Sequence, residues 1–223
     1  MAAPIAILHD DEHLLVVDKP AGVLAVAAPG RREPTLIDLL TRQLGTRVHA
    51  VHRLDEGTTG AMVVARTEGA RDAMDPLFRQ HLVRREYLAL VVGRPAPSAG
   101  RIESQLRDDG DLVRVVERGG QLAITDYESL DRRGRLTLVC CRLQTGRRNQ
   151  IRVHLAFAGL PVVGDSVYGK PGSDPVRADR QLLHASKLGF NLPDGKRVVF
   201  AAALPQDFEA ALRELRERER GNG

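Results

Sequence analysis

The sequence predicts a mixed α+β fold, and three observations carry that expectation. Short apolar or alternating runs follow one another with Gly-rich turns between them, at Leu112–Val116, Leu122–Leu130 and Arg135–Leu143. This is the pattern of antiparallel strands joined by hairpins. Between the strand-like runs lie stretches with apolar residues at three- and four-residue spacing, the mark of amphipathic helices. No strand–helix–strand spacing repeats along the chain, which argues against a doubly wound parallel sheet. With 223 residues, 43% of them apolar, the chain is long enough to bury a full core. The expectation is a single domain over residues 1–223, without internal repeats or a long linker.

The elements follow in order. His13–Asp18 reads as a strand stopped by Lys19-Pro20-Ala21-Gly22. Thr35 with Asp38 resembles a capping box with its acid shortened. Behind it Leu36, Leu39, Leu40 and Leu44 share one helical face, and Gly45 ends the helix. Val51 leads into the turn around Asp55, and Met62–Ala65 is a strand. Ala70, Ala73, Met74, Leu77, Phe78 and Leu82 define a second helix, and their spacing marks core contacts. Tyr87–Val92 is a strand ended by Gly93 and the Pro-rich Arg94–Pro97. After the three hairpin strands, Gly146–Gly159 turns helical, with Gly159 as its stop. Lys170–Arg180 is polar, carries Pro and Gly, and is expected to be a mobile loop. Leu182–Phe190 and Arg197–Ala202 form a closing hairpin around Leu192-Pro193-Asp194-Gly195. Phe208, Leu212 and Leu215 make a last helix, fraying at 217–223.

Composition excludes whole classes of function. No apolar run approaches the length of a membrane-spanning helix, and the N-terminus lacks a basic stretch followed by a long apolar core. Cys140 and Cys141 are strand neighbours pointing to opposite faces. Neither has a CxxC partner, so neither a disulfide nor a zinc site is implied. The expected setting is a reducing, cytoplasmic one. No metal or cofactor is expected: there is no GxxxxGK[ST] loop, no dinucleotide glycine fingerprint and no HExxH. The formal net charge of +4 is weak support for a polyanionic partner. Lysine occurs only at positions 19, 170, 187 and 196, so nearly all the positive charge is arginine, which forks onto phosphate and stacks on bases. Codon bias in a GC-rich genome accounts for much of that preference. Aromatic residues make up 4%, too few for a stacking platform. An RNA partner would be held by phosphate contacts and one pocket.

The chemistry centres on His52-Arg53-Leu54-Asp55-Glu56-Gly57-Thr58-Thr59-Gly60. A carboxylate beside an arginine, on a turn of small and hydroxyl residues just before a buried strand, is a fixed acid at the lip of a core element. An adjacent positive charge favours the ionised form, which a carboxylate nucleophile requires. By itself an Arg-Leu-Asp more often caps a neighbouring N–H in a polar turn.

This nonapeptide resembles the HRLDxxTSG signature of the RluA-type pseudouridine synthases, with Thr59 in place of serine. Further stretches match that family in the same order: Asp11–Gly22, Arg85–Gly93, Gly146–Leu155 with Gly164–Gly169, and Leu182–Ala185. The resemblance spans about Ile7 to Phe208. It implies a bent, mostly antiparallel mixed sheet with flanking helices and a central catalytic cleft, in the short form without an S4 domain. It also implies isomerisation of specific uridines in ribosomal or transfer RNA, by a chain acting as a monomer. On the same resemblance Asp55 is the catalytic carboxylate, and Arg152 is the arginine that pairs with it. Tyr87 packs on the target uracil and is a candidate for the C5 proton step. Arg53 fills the gap left when the nucleotide swings out. Lys19, Thr59, Arg147, Gln150 and Ile151 are further substrate-binding candidates. His52 is read as a supporting hydrogen bonder. Arg148-Asn149 departs from the family's Thr-His, which puts substrate identity in question more than the reaction. Two other readings stay open: a catalytically idle RNA-binding or ribosome-assembly factor on the same fold, and a small-substrate glycosidase pairing Asp55 with Glu56.

Overall fold

The computed structural model describes residues 3–169, 174–192 and 195–221, with side chains through residue 214. In chain order its elements are β1 (Ala6–Asp10), β2 (Leu14–Lys19), α1 (Leu36–Leu44), β3 (His49–Ala50), β4 (Thr59–Ala65), α2 (Glu68–Arg79), β5 (Arg84–Val92), β6 (Ala99–Asp108), β7 (Val113–Val116), β8 (Gln121–Arg133), β9 (Leu136–Leu143), α3 (Gln150–Phe157), β10 (Leu183–Asn191), β11 (Arg197–Ala201) and α4 (Gln206–Gly221). This is an α+β fold with predominantly antiparallel strand pairing. The chain divides into two compact units, Met1–Arg85 with Ala185–Ala203 and Glu86–His184 with Leu204–Gly223.

In the first unit the strands run β1-β2-β4-β10, with β3 on β4 and β11 on β10. The β1–β2, β2–β4, β3–β4 and β10–β11 pairs are antiparallel. Every residue of β4 is buried, as are Leu14–Val17 of β2. A strand covered on both faces reads as a continuous apolar run rather than an alternation, which is why these two were legible. Alternate residues Leu14, Val16, Ala61 and Val63 pack with Met74 of α2 and with Leu188 and Phe190 of β10. The Thr35–Asp38 capping box forms, and Gly45 closes α1 in the left-handed region at φ 68°.

The second unit orders its strands β5-β9-β8-β6-β7, all antiparallel. One core cluster joins Leu90, Leu136, Val163 and Leu182 to Phe208 and Ala211 of α4. A smaller one sets Val153 of α3 against Leu106, Val113 and Ala123.

The differences from the sequence expectation have local causes. β1 and β6 were not foreseen: β1 is largely exposed, and Leu106 is the one fully buried residue of β6, so neither shows a hydrophobic period. α3 begins at Gln150 rather than Gly146 because Asn149 sits in the left-handed region at φ 53°. Of the loop expected to be mobile, residues 174–180 are pinned. Val176 is buried, Asp174 accepts from the Gly164 N–H, and Arg180 forks onto Asp207. Residues 170–173 lie outside the described residues, as do Pro193 and Asp194 of the closing turn. α4 is helical to Gly221; 222 and 223 lie outside the described residues.

Gly60 marks where β4 meets β10 most closely. Its φ is +112°, and a Cβ there would be driven into the backbone of Ala185. Gly60→Ala is expected to lower stability by about 2–4 kcal/mol, combining a strained backbone with a steric clash. Urea unfolding monitored by circular dichroism checks this.

Candidate active site

The foreseen site residues fall into both units. In the first, β2 ends at Lys19, whose register partner is Gly60, so the Asp55 turn lies beside the end of β2. Lys19 is fully buried. Its Nζ donates to the carbonyls of Pro20 (3.0 Å), Glu56 (2.9 Å) and Thr58 (2.9 Å). Glu56 O also accepts from the Gly22 N–H, and Thr58 N–H closes the turn onto Asp55 O, both at 3.0 Å. The ammonium thus fixes the backbone on the C-terminal side of Asp55. Lys19, a substrate-binding candidate from the sequence, has no exposed surface in this structure. Thr59 is likewise buried at the start of β4.

Asp55 is half-buried on this turn, and Arg53 is exposed. The Glu56 side chain turns to Arg31, which donates to both its oxygens at 3.0 and 3.2 Å. That removes Glu56 as the second carboxylate of a glycosidase pair. His52 accepts from the Val63 N–H at 3.1 Å and stacks on Phe78 with ring centroids 4.5 Å apart, the supporting role expected of it. Thr58 Oγ1, which sequence reasoning did not single out, is buried without a hydrogen-bond partner among the described residues.

In the second unit Tyr87 is buried on β5, in register with Cys141 of β9. Gln150 braces the start of α3. Its Oε1 accepts from Thr145 Oγ1 (2.7 Å) and the Arg147 N–H (2.9 Å), and its Nε2 donates to Ile124 O and Thr125 Oγ1 (both 3.0 Å). Ile151 is also buried. Arg147 is partly exposed.

Arg152 forks onto Asp165, Nε to Oδ2 at 2.7 Å and Nη2 to Oδ1 at 2.8 Å. Asp165, the partner in this fork, was not among the candidates read from the sequence. The pair is buried, Arg152 at 8% side-chain exposure and Asp165 at 0%. Asp165 Oδ1 also accepts from the Val167 and Tyr168 N–H groups, both at 3.0 Å. Burial alone would raise the Asp165 carboxyl; the Arg152 hydrogen bond and charge, helped by these backbone donors, hold it below the usual carboxylate range. The guanidinium lies 5.1 Å from the centre of the Tyr168 ring, and Nη1 donates to Asn149 Oδ1 at 3.2 Å. Asp165 could have been found from the Gly164-Asp165-Ser166-Val167-Tyr168 stretch already matched to the family. Nothing in its local pattern announced a partner thirteen residues away.

Lys19→Met keeps the buried stem but takes one donor from each of three carbonyls, of which Glu56 O keeps the Gly22 N–H. The expected cost is about 2–4 kcal/mol, measured by denaturant unfolding. The pH dependence has a definite sign. His154 is fully buried and pushed down to about 4 by desolvation. His52 is lowered too, by burial first and the Arg85 charge second. Both rings are neutral in the fold, whereas the unfolded chain takes up protons below about 6.5. Stability is full above that pH and declines as pH falls toward 4. The melting temperature should be lower at pH 5 than at pH 7, and His154→Gln should shrink the difference.

Residues 13–157, more than half of the chain, match the family described as RNA pseudouridylate synthase. An uncharacterised RNA pseudouridine synthase of Synechocystis is 37% identical, covering 96% of this chain and 70% of that protein. The ribosomal large subunit pseudouridine synthase D of Nitrosomonas europaea is 38% identical, over 96% of this chain and 66% of that one. The chain therefore spans about two thirds of the length of these relatives. Among solved structures, human RNA Pseudouridylate Synthase Domain Containing 4 superposes with a TM-score of 0.76 at 28% identity, covering 95% of this chain and 93% of its own. The chain belongs to the RNA pseudouridylate synthase family and is an isomerase that forms pseudouridine in RNA.

Proposed function

We propose that this chain converts specific uridines of ribosomal RNA to pseudouridine, with Asp55 as the catalytic carboxylate. The observation that carries the reading is the presentation of Asp55. It is half-exposed on a turn clamped by a buried ammonium, while its acidic neighbour is committed to Arg31. The reaction breaks the bond from ribose C1′ to uracil N1, turns the base, joins C1′ to C5, and releases the C5 proton. Being an isomerisation, it consumes no oxidant or reductant.

The chain's own groups divide the work. Asp55 acts at the sugar or the base as nucleophile or proton acceptor. Tyr87, buried on β5, packs on the uracil and is the candidate for the C5 proton. Arg152 supplies a cation that Asp165 and Asn149 hold in one orientation. Arg53 takes the place of the extruded nucleotide, offsetting part of the unstacking cost of a few kcal/mol. Arg147 meets phosphate. Ribosomal RNA is favoured over transfer RNA because the Nitrosomonas relative is named for the large ribosomal subunit. A monomer in the cytoplasm completes the reading.

Tritium release from unmodified RNA labelled at uridine C5 tests it, with ribosomal and transfer RNA assayed separately. Wild-type protein should release tritium from ribosomal RNA. Asp55→Asn should fall by about a thousandfold or more, the scale on which loss of an essential group acts, with folding and RNA binding retained. Release by both proteins would sink the assignment of Asp55. Binding without release from either RNA would favour the idle RNA-binding alternative.

A further inference from the structure

The turn between β6 and β7 reads Asp108-Asp109-Gly110-Asp111-Leu112, three carboxylates within four residues. Left bare, such a turn repels a phosphate backbone. Two of the three are met by arginines: Asp108 by Arg148 at 2.7 Å, and Asp109 by Arg107 at 2.8 Å. Arg148 also grips the turn's backbone, Nη1 donating to Gly110 O at 2.6 Å and Nη2 to Asp111 O at 3.1 Å. One guanidinium therefore both neutralises the turn and folds it down. The next residue ties in the far side of the hairpin. Asn149 Nδ2 donates to Tyr168 Oη at 3.1 Å, and that oxygen accepts from the Val113 N–H at 3.0 Å. Through Asn149 Oδ1 the same network reaches Arg152.

Beside this turn is a cavity of about 390 Å³, whose lining includes Arg107, Asp108, Gly120, Gly146, Arg147 and Arg148. Its lining carries Arg107, Arg147 and Arg148, the first and last each paired to one acid of the turn so that Arg147 adds an unmatched charge, and no aromatic side chain. It is therefore suited to a phosphate rather than to a stacked base. Arg147 spends only its Nε on the protein, donating to Leu122 O at 3.1 Å; its Nη groups make no hydrogen bond to the described residues. A guanidinium braced at Nε with its outer edge open is shaped to fork onto a phosphate.

We propose that this cavity is a subsite for one phosphodiester of the RNA strand, contacted by Arg147 and Arg107. Arg148 is the positioning residue that neutralises and holds the acidic turn forming its wall. The inference rests on RNA being the substrate. It gives the Arg148-Asn149 pair, which departs from the family pattern, a task specific to this chain: it compensates an acidic hairpin that would otherwise exclude RNA.

Filter binding of an unmodified large-subunit ribosomal RNA transcript, with transfer RNA in parallel and over a salt series, tests it. Arg148→Thr should weaken binding about five- to twentyfold. Adding Asp108→Asn should bring it back to within about threefold of wild type, because the carboxylate exposed by the first change is gone. Arg147→Gln should weaken binding and reduce the slope of log K against log salt by about one. A turn that had merely lost structure would not be rescued by Asp108→Asn and would leave the salt slope unmoved. Binding by Arg148→Thr equal to wild type, or no recovery in the double variant, overturns the proposal. So does wild-type protein that binds neither RNA. Tight wild-type binding with the expected rescue but no tritium release upholds the subsite and removes the catalytic reading instead.

Discussion

The ammonium of Lys19 is the interaction on which the Asp55 turn depends. A charge with no exposed surface has given up its hydration, a penalty of several kcal/mol that only close, well-aligned partners offset. The ammonium donates to backbone carbonyls, two of them within three residues of Asp55. Those carbonyls are fixed in turn by the β2–β4 register that sets Lys19 opposite Gly60. Glycine is required there because the backbone of Ala185 occupies the place of a side chain. Strand register, a buried cation and a missing Cβ thus form one construction. It presents a carboxylate on a backbone that cannot relax, which is what preorganised chemistry demands.

The second unit repeats the device with different parts. Arg152 and Asp165 are buried together, and a buried ion pair is poor support for stability, because packed apolar groups of the same volume would often do as well. What the pair supplies is direction. Two parallel hydrogen bonds, a contact with the Tyr168 ring and a bond to Asn149 leave the guanidinium one orientation. The carboxylate is locked in its turn by two N–H groups. Around the same helix Gln150 satisfies four polar partners, so the start of α3 is held by side chains rather than by a cap. That is necessary because Asn149, in the left-handed region, makes no side-chain cap bond.

Much of this was legible and some could not be. β2, β4 and β5 announced themselves as apolar runs, and α1 by its capping box and closing glycine, because in each the local chemistry and the tertiary role agree. β6 is a strand by pairing alone; its residues face water too often to leave a period. The motif residues show a subtler limit. A signature states which residues occur, not how deeply they lie. Lys19, Thr59, Gln150 and Ile151 sit in the expected motifs and all four are buried, and of these Lys19 and Gln150 hydrogen-bond the surrounding framework. Asp165 was invisible as a partner because the link to Arg152 is made by a chain reversal that neither residue's neighbours encode.

Charge shows the same separation between composition and place. A net +4 says little, because so many arginines are already committed: Arg31 to Glu33 and Glu56, Arg66 to Asp10, Arg101 to Asp126, Arg142 to Glu128, Arg148 to Asp108 and Arg180 to Asp207. Exposed pairs of this kind contribute only about 0–1 kcal/mol each, so stability alone does not account for them. Their effect is on the field. Each cancels a carboxylate and leaves the local potential to the cations that have no acidic partner. Arg53, two residues from Asp55, and Arg147, just before α3, make no ion pair with the described residues. Where a carboxylate is matched in this way, the potential at the surface is set by the arginines that remain, which is why the net charge alone says so little about a polyanionic partner.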